Sequence, residues 1–450
     1  MKRHDVILTV AVAVLGIAVV LSASNQLTNN QLVKPTQPVE VRAMDMLEEG
    51  RQTFRFDTFG DETFWGDTLR LHEAINGLTP NQALALGLKV DVEALGGLAN
   101  DIQQGKVNLD DPAATRVLIQ RQAVLGVVGQ FNADGTLRTV GLTCALCHST
   151  VNNSLAAGIG QRLDGWANRD LNVGGIVAAA PNLDPIVGLL RIAIPTIDAA
   201  TVRAVLNSWG PGKYDAELLF DGKAFTPDGK PAATMLPNAY GLSGHNLHTW
   251  TGGWGTVSYW NALVGVLLLR GNGTFFDPRM DNAAQFPIAA AARLGHVSVP
   301  PDQDRVTGKL PALHFYQLAL PAPRPTAGVD FNADAAARGA TVFTGKADCN
   351  RCHRTPLWTE PGWNAHTPAE MKIESFQADR SPDHTYRTMG LAGLFVRERG
   401  LFMRAENKGR FYHDGRFATL RDVVASYNQR FGLLLTVPEQ LDLVEYLKSL

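Results

Sequence analysis

The 450 residues are 45% hydrophobic and 19% charged, with a formal net charge of −2. That balance excludes a disordered chain and fits two or three domains with real cores. Near-neutral charge, with no basic run interleaved with aromatics, excludes nucleic acid as a partner.

Residues 1–24 start with Lys2 and Arg3, continue as an apolar run from Val6 to Leu21, and end on Ser22, Ala23 and Ser24. This is the pattern of an export signal, and the run is also long enough to stay as an N-terminal membrane anchor. No cysteine follows it to carry a lipid. The expected location is therefore the periplasm, free or tethered to the inner membrane. Residues 25–45 are polar, rich in Asn and Gln, and read as a linker.

From residue 46 helices dominate. "MDMLEEGRQTFRFDTFGDETFWGDTLRLHEAI" predicts a helix, a turn at Gly60 and Asp61, and a second helix from Thr63. Between 80 and 130, Thr or Asp caps precede apolar residues at helical spacing. The stretches at 150–175, "DGKAFTPDGKPAATMLPNAYGLSG" and "HTWTGGWGTVSYWN" read as long loops, which in compact proteins often line a site. The Pro-rich segment 321–330 marks a boundary between an N-terminal domain, 46–320, and a C-terminal domain, 331–450. In the latter, a helix leads into the second cysteine pair and a last helix starts at Thr436 with Pro438 in its first turn. The fold class expected is mainly α, with two haem domains of the c-type cytochrome kind. The first of these is enlarged by long loops and extra helices.

All four cysteines fall in two copies of one pattern: Cys144, Cys147 and His148 in "GLTCALCHST", and Cys349, Cys352 and His353 in "KADCNRCHRTP". Cys-x-x-Cys-His is the attachment signature for c-type haem, two thiols adding to the porphyrin's vinyl groups while the histidine binds iron. Zinc would need four ligands per site, and each copy offers three. A thioredoxin-like pair leaves both adjacent histidines unexplained. Two covalently bound haem c groups are the expected cofactors.

The sixth iron position separates electron transfer from chemistry at an open iron. Met371, Met389, Met403 and Tyr427 are available in the tail. Leu420, Val423, Val424 and Tyr427 recur at i, i+3, i+4 and i+7, which places the tyrosine on the inner face of a helix, as a core residue or as an iron ligand.

The segments "YRTMGLAGLF" and "GRFYHDGRFATLRDVVASYNQRFGLLLTVPEQLDLVEYLKSL" resemble the C-terminal domain of the bacterial dihaem cytochrome c peroxidases and the MauG-like proteins. The resemblance covers residues 330–450. It implies a dihaem oxidoreductase, with Tyr427, as in the MauG-like members, at the sixth position of the second haem and Met389 or Met403 as alternatives. His413, in "FYHDGRF", is implied as support near that haem. The peroxidases carry a histidine downstream of the first motif that caps the first iron, but residues 149–174 contain none, so the first haem is expected to be open.

His245 and His248 could approach the first haem as ligand or acid/base, or simply bond within their loop. Trp166 could relay electrons or be a large buried group. The expected function is haem-mediated electron transfer with a peroxidase-like activity on peroxide or another small oxidant, fed by a redox partner protein. The alternative is a plain electron-transfer cytochrome with both irons six-coordinate. A sensory or structural haem protein has no attached signalling segment to motivate it.

Overall fold

The computed structural model describes residues 38–450. The export signal expected at 1–24 and most of the linker expected at 25–45 lie outside the described residues. Among those described, no helix is long and apolar enough to cross a membrane. A helix, Val39–Phe56, begins inside the expected linker. After Pro38 no glycine or proline interrupts the chain before Gly50, and Glu40 sits in the first turn, where the helix dipole favours an acid. The chain divides into a short unit ending at Asp45 and a second unit, Met46–Leu450, which holds both motifs.

Helices predominate in the second unit, and its short strands pair only two by two. The caps read from the sequence are the ones that form. Thr79 accepts from the Gln82 amide at the start of Pro80–Ala85, and Asp111 accepts from the Ala113 amide ahead of Pro112–Gln120. Each cap satisfies an amide the helix itself cannot, worth roughly 1 kcal/mol.

A hairpin delivers the first motif. Val127–Phe131 pairs antiparallel with Leu137–Leu142, and Val127 stands opposite Leu142. The Thr143 amide continues the ladder to the Gly126 carbonyl, and Cys144 follows at once. Gly126 has φ +74°, and a Cβ there would stand 2.1 Å from the Leu146 nitrogen, so no other residue fits. Beyond the motif, Ser149–Val151 pairs with Arg162–Asp164, and Ser149 stands opposite Asp164. That register returns the chain to the motif: the Gly165 amide donates to the His148 carbonyl at 2.8 Å and the Asn168 amide to the Cys147 carbonyl at 2.9 Å. Part of the stretch read as loop is therefore a short ladder, whose two or three paired residues fall below what alternation can reveal.

After residue 330, the helix Ala333–Thr344 packs against the last helix, Val437–Lys448. A Cβ on Gly339 would meet the Asp442 carbonyl oxygen at 2.0 Å, so glycine permits this close approach. Phe343 is buried between them at 1% exposure, and truncating it to Ala would cost about 3–5 kcal/mol. Leu420–Phe431 completes this part, capped by Thr419 and Asp422. The largest hydrophobic clusters stay on one side of 321–330: two before it and one after it. Polar ties cross it. Arg380 is fully buried against Asp215 at 2.8 Å and Asp221 at 2.7 Å. Asn407 donates to Asp170, which also pairs with Lys89.

Candidate cofactor site

The first motif lies in a seam between cores. Cys144 packs against one N-terminal cluster and Cys147 against the other. Burial pushes both thiols up to about 12. The His148 ring is drawn down to about 4, by burial first, with the Pro237 carbonyl opposing and the Arg169 charge adding. Its Nδ1 has no partner.

The second motif has a different setting. Cys349–Arg351 is a single 3₁₀ turn after the helix Ala333–Thr344. Cys349, Cys352 and His353 form part of the wall of a cavity of about 640 Å³. This lies within the roughly 300–1,000 Å³ of pockets that hold cofactors and drug-sized ligands. His353 Nδ1–H donates to the Trp358 carbonyl at 2.9 Å, which orients the ring and leaves Nε2 for a metal, although the Met389 carbonyl also faces the ring. Burial pushes Cys349 up to about 12 and also raises Cys352. None of the four cysteines is in a disulfide. Thiols held protonated by burial are poor nucleophiles and poor redox groups, which argues against a thiol-exchange role.

Tyr427, Met389 and Met371 are also in the cavity wall. The Arg430 guanidinium lies over the Tyr427 ring, 4.6 Å from its centre. Burial, then the neighbouring Tyr412, raises the Tyr427 phenol, so it is neutral unless a cation takes its proton's place. Val423 and Tyr427 are only partly shielded while Leu420 and Val424 are buried, because the helix's inner face borders the cavity as well as the core. Met403 is not among the residues that form the wall. Its neighbour Arg404 holds that turn against the N-terminal part, its backbone amide donating to Asp170 and its guanidinium to the Ala85 carbonyl.

His413 is buried in the same wall, bonded through Nε2 to Glu374 at 2.8 Å and stacked on Tyr386. Burial would raise Glu374, but the hydrogen bonds from His413 and Arg416 outweigh it and bring the acid down to about 2. His245 is in the wall of the second motif's cavity, which also takes in Pro237 and Arg169 beside His148. The His245 loop folds toward residues 357 and 390, with Nε2 bonded to the Leu357 carbonyl at 3.2 Å. His248 is buried behind it. Burial and then the Arg387 charge draw His245 down to about 4 and His248 to about 3, so both are neutral at pH 7.

Trp166 follows the glycine bonded to His148, and its ring centre lies 5.7 Å from Tyr240 and 5.6 Å from Phe402. Tyr240 is itself part of the cavity wall. The cavity also takes in Arg169, Arg387 and Arg397, which the sequence does not single out, since an arginine without a motif reads as surface. Glu360 and His366 were likewise missed. Together with Cys352 they place three ligand atoms within 4.8 Å of one another, but Glu360 and His366 already bond each other at 2.7 Å.

The sequence matches no protein-family profile and no curated protein. A solved chain of Kuenenia stuttgartiensis hydrazine synthase is similar to part of it, at 21% identity over 32% of this chain and 55% of that one, with a TM-score of 0.21. The match spans about half of that chain's length, and a likeness this slight carries no argument about fold or activity.

Proposed function

We propose that this chain is an exported c-type cytochrome with two covalently bound haem groups, working in haem-mediated electron transfer, with peroxidase- or MauG-like activity at one open iron. The setting of the second motif carries the reading. Two thiols, a histidine held at Nδ1 by a carbonyl, and the candidate ligands Tyr427 and Met389 all border one cavity of cofactor size. Cys349 and Cys352 would attach the macrocycle and His353 Nε2 would bind its iron, with Tyr427, or Met389 in its place, as the sixth ligand. Cys144, Cys147 and His148 supply the same groups at the first motif, where the Pro237 carbonyl faces the His148 ring. When bound, haem supplies a reversible one-electron couple, and an iron with an open face can act on a small oxidant.

The chain's own residues then have definite tasks. Trp358 orients His353, and Glu374 holds His413 in place. Trp166 and Tyr240 form an aromatic contact from the first motif to the cavity of the second, which supports Trp166 as a relay. His245 and His248 stay neutral behind Arg387, so neither stores a proton at pH 7. An electron donor or acceptor protein in the periplasm completes the proposal.

A pyridine haemochrome assay should count two haems per chain. Low-temperature electron paramagnetic resonance of the oxidised protein should then show one high-spin and one low-spin centre. Two low-spin centres with no response to cyanide would favour the plain electron carrier. Tyr427→Phe should alter the spectrum of one haem; an unchanged spectrum would pass the ligand role to Met389.

A further inference from the structure

Besides the exposed Arg351, three shielded guanidinium groups in the cavity wall have no acid to balance them. Among the described residues, Arg169, Arg387 and Arg397 have no carboxylate within ion-pairing distance, although most other buried cations of this chain do. Arg387 Nε donates to the Thr249 carbonyl, and Arg397 bonds only to the carbonyls of Gly409 and Arg410. Arg169 is the extreme case. It is 3% exposed, and its Nε and Nη1 have no partner at all.

A guanidinium does not give up its proton inside a protein, and an unpaired buried charge costs several kcal/mol. Burial, then the charges of Arg397 and Arg410, press on Arg169 in the same unfavourable direction. Like charges gathered on one wall, with donors left over, are the arrangement for a bound anion. The Nε and Nη groups of arginine form a fork that matches the two oxygens of a carboxylate. The acids at hand do not serve: Asp348 and Glu370 in the same wall are exposed, with Glu370 bonded to Thr367, while Asp170 is committed to Lys89 and Asn407, and Glu374 to His413 and Arg416.

We propose that Arg169, with Arg397, forms a carboxylate clamp in the cavity wall, and that the carboxylates it holds are the propionates of the haem attached at Cys349 and Cys352. This rests on the haem reading above and adds the residues that orient the macrocycle at its polar edge. A free small carboxylate has the same chemistry, so the test must separate the two sources.

The test uses the full-length, haem-loaded protein with Arg169→Gln and Arg169→Lys. The readouts are haem count, redox titration and the propionate-bending bands in the resonance Raman spectrum. Arg169→Gln should keep two haems, displace a propionate band, and shift the one-electron equilibrium of one haem about tenfold toward Fe(III), or 59 mV by the one-electron relation. Arg169→Lys should restore most of that equilibrium while the band stays displaced, since lysine keeps the charge and loses the fork. An unmoved band overturns the clamp, whether or not the potential moves. A saturable response of the wild-type spectrum to added acetate that Arg169→Gln abolishes also overturns it, assigning the fork to a free anion. Should Arg169→Gln fail to accumulate, the band in Arg169→Lys decides alone. A wild-type protein carrying no haem would mean instead that the functional reading has failed.

Discussion

The same five-residue motif stands in two opposite environments. Around Cys144, Cys147 and His148, short ladders and two hydrophobic clusters close in on the motif, and one buried acid, Asp61, is pushed up to about 9 by burial, against the pull of the Leu142 amide. Around Cys349, Cys352 and His353 a large cavity opens, and the nearby acids are drawn down by their partners, Glu374 to about 2. The difference teaches that the motif repeats one set of side chains, while the surroundings set what can reach them. Asp61 and Glu374 therefore respond to pH in opposite directions.

The largest expected effect tests whether the two sites are independent. Changing Cys349 and Cys352 to Ala should remove one of two haems, and changing Cys144 and Cys147 should remove the other. A haem count still at two after either change would break the comparison at its root.

Next in size is the joint between the regions. Arg380 lies beyond the second motif but is paired with Asp215 and Asp221, which lie before 321–330, and all three side chains are at 0% exposure. Arg380→Ala would leave two acids buried without a cation and should cost about 3–5 kcal/mol. A lower urea midpoint, shared by tryptophan fluorescence and the Soret band, is the expected reading. An unchanged midpoint would show that the halves do not depend on this tie. The boundary at 321–330 is tested alongside, since limited proteolysis of the loosened variant should cut there first.

The pH contrast comes third. Asp61 titrates near 9 in the fold against an ordinary 3.8. The folded state therefore keeps a proton that the unfolded chain releases, and this stability is full below about pH 4 and is lost as pH rises toward 9. Asp61→Asn stays neutral and should gain on the order of 2–4 kcal/mol at pH 8 relative to the parent, with little change at pH 4. Glu374 runs the other way. Its contribution is present above its ordinary 4.5 and is lost as pH falls toward 2, so Glu374→Gln should weaken the fold at pH 7 and not at pH 2. Urea midpoints relative to the parent should diverge as pH rises, upward for Asp61→Asn and downward for Glu374→Gln. Parallel trends would erase the electrostatic half of the comparison.

The smallest effect belongs to the frame of the second region. Thr436 caps the last helix in a reciprocal pair with Glu439. Thr436→Ala should lower stability by about 1 kcal/mol without moving the haem spectrum. A spectral change would mean that the helix end bears on the cavity after all.

What the sequence determined by itself was local. The two cysteine–histidine motifs, the Thr and Asp caps, the helices at 333–344, 420–431 and 437–448, and the inward face carrying Tyr427 all follow from spacing within a few turns of chain. Spacing that short is enforced by backbone geometry. What only the tertiary structure decided was who shares a cavity. His245 borders the second motif's cavity, Met403 is not part of its wall, and Trp166 reaches Tyr240. Arg169, far from the second motif in the chain, leaves its guanidinium unpaired in that same wall. No local pattern records such meetings, because burial and the pairing of charge depend on segments that become neighbours only when the whole chain has folded.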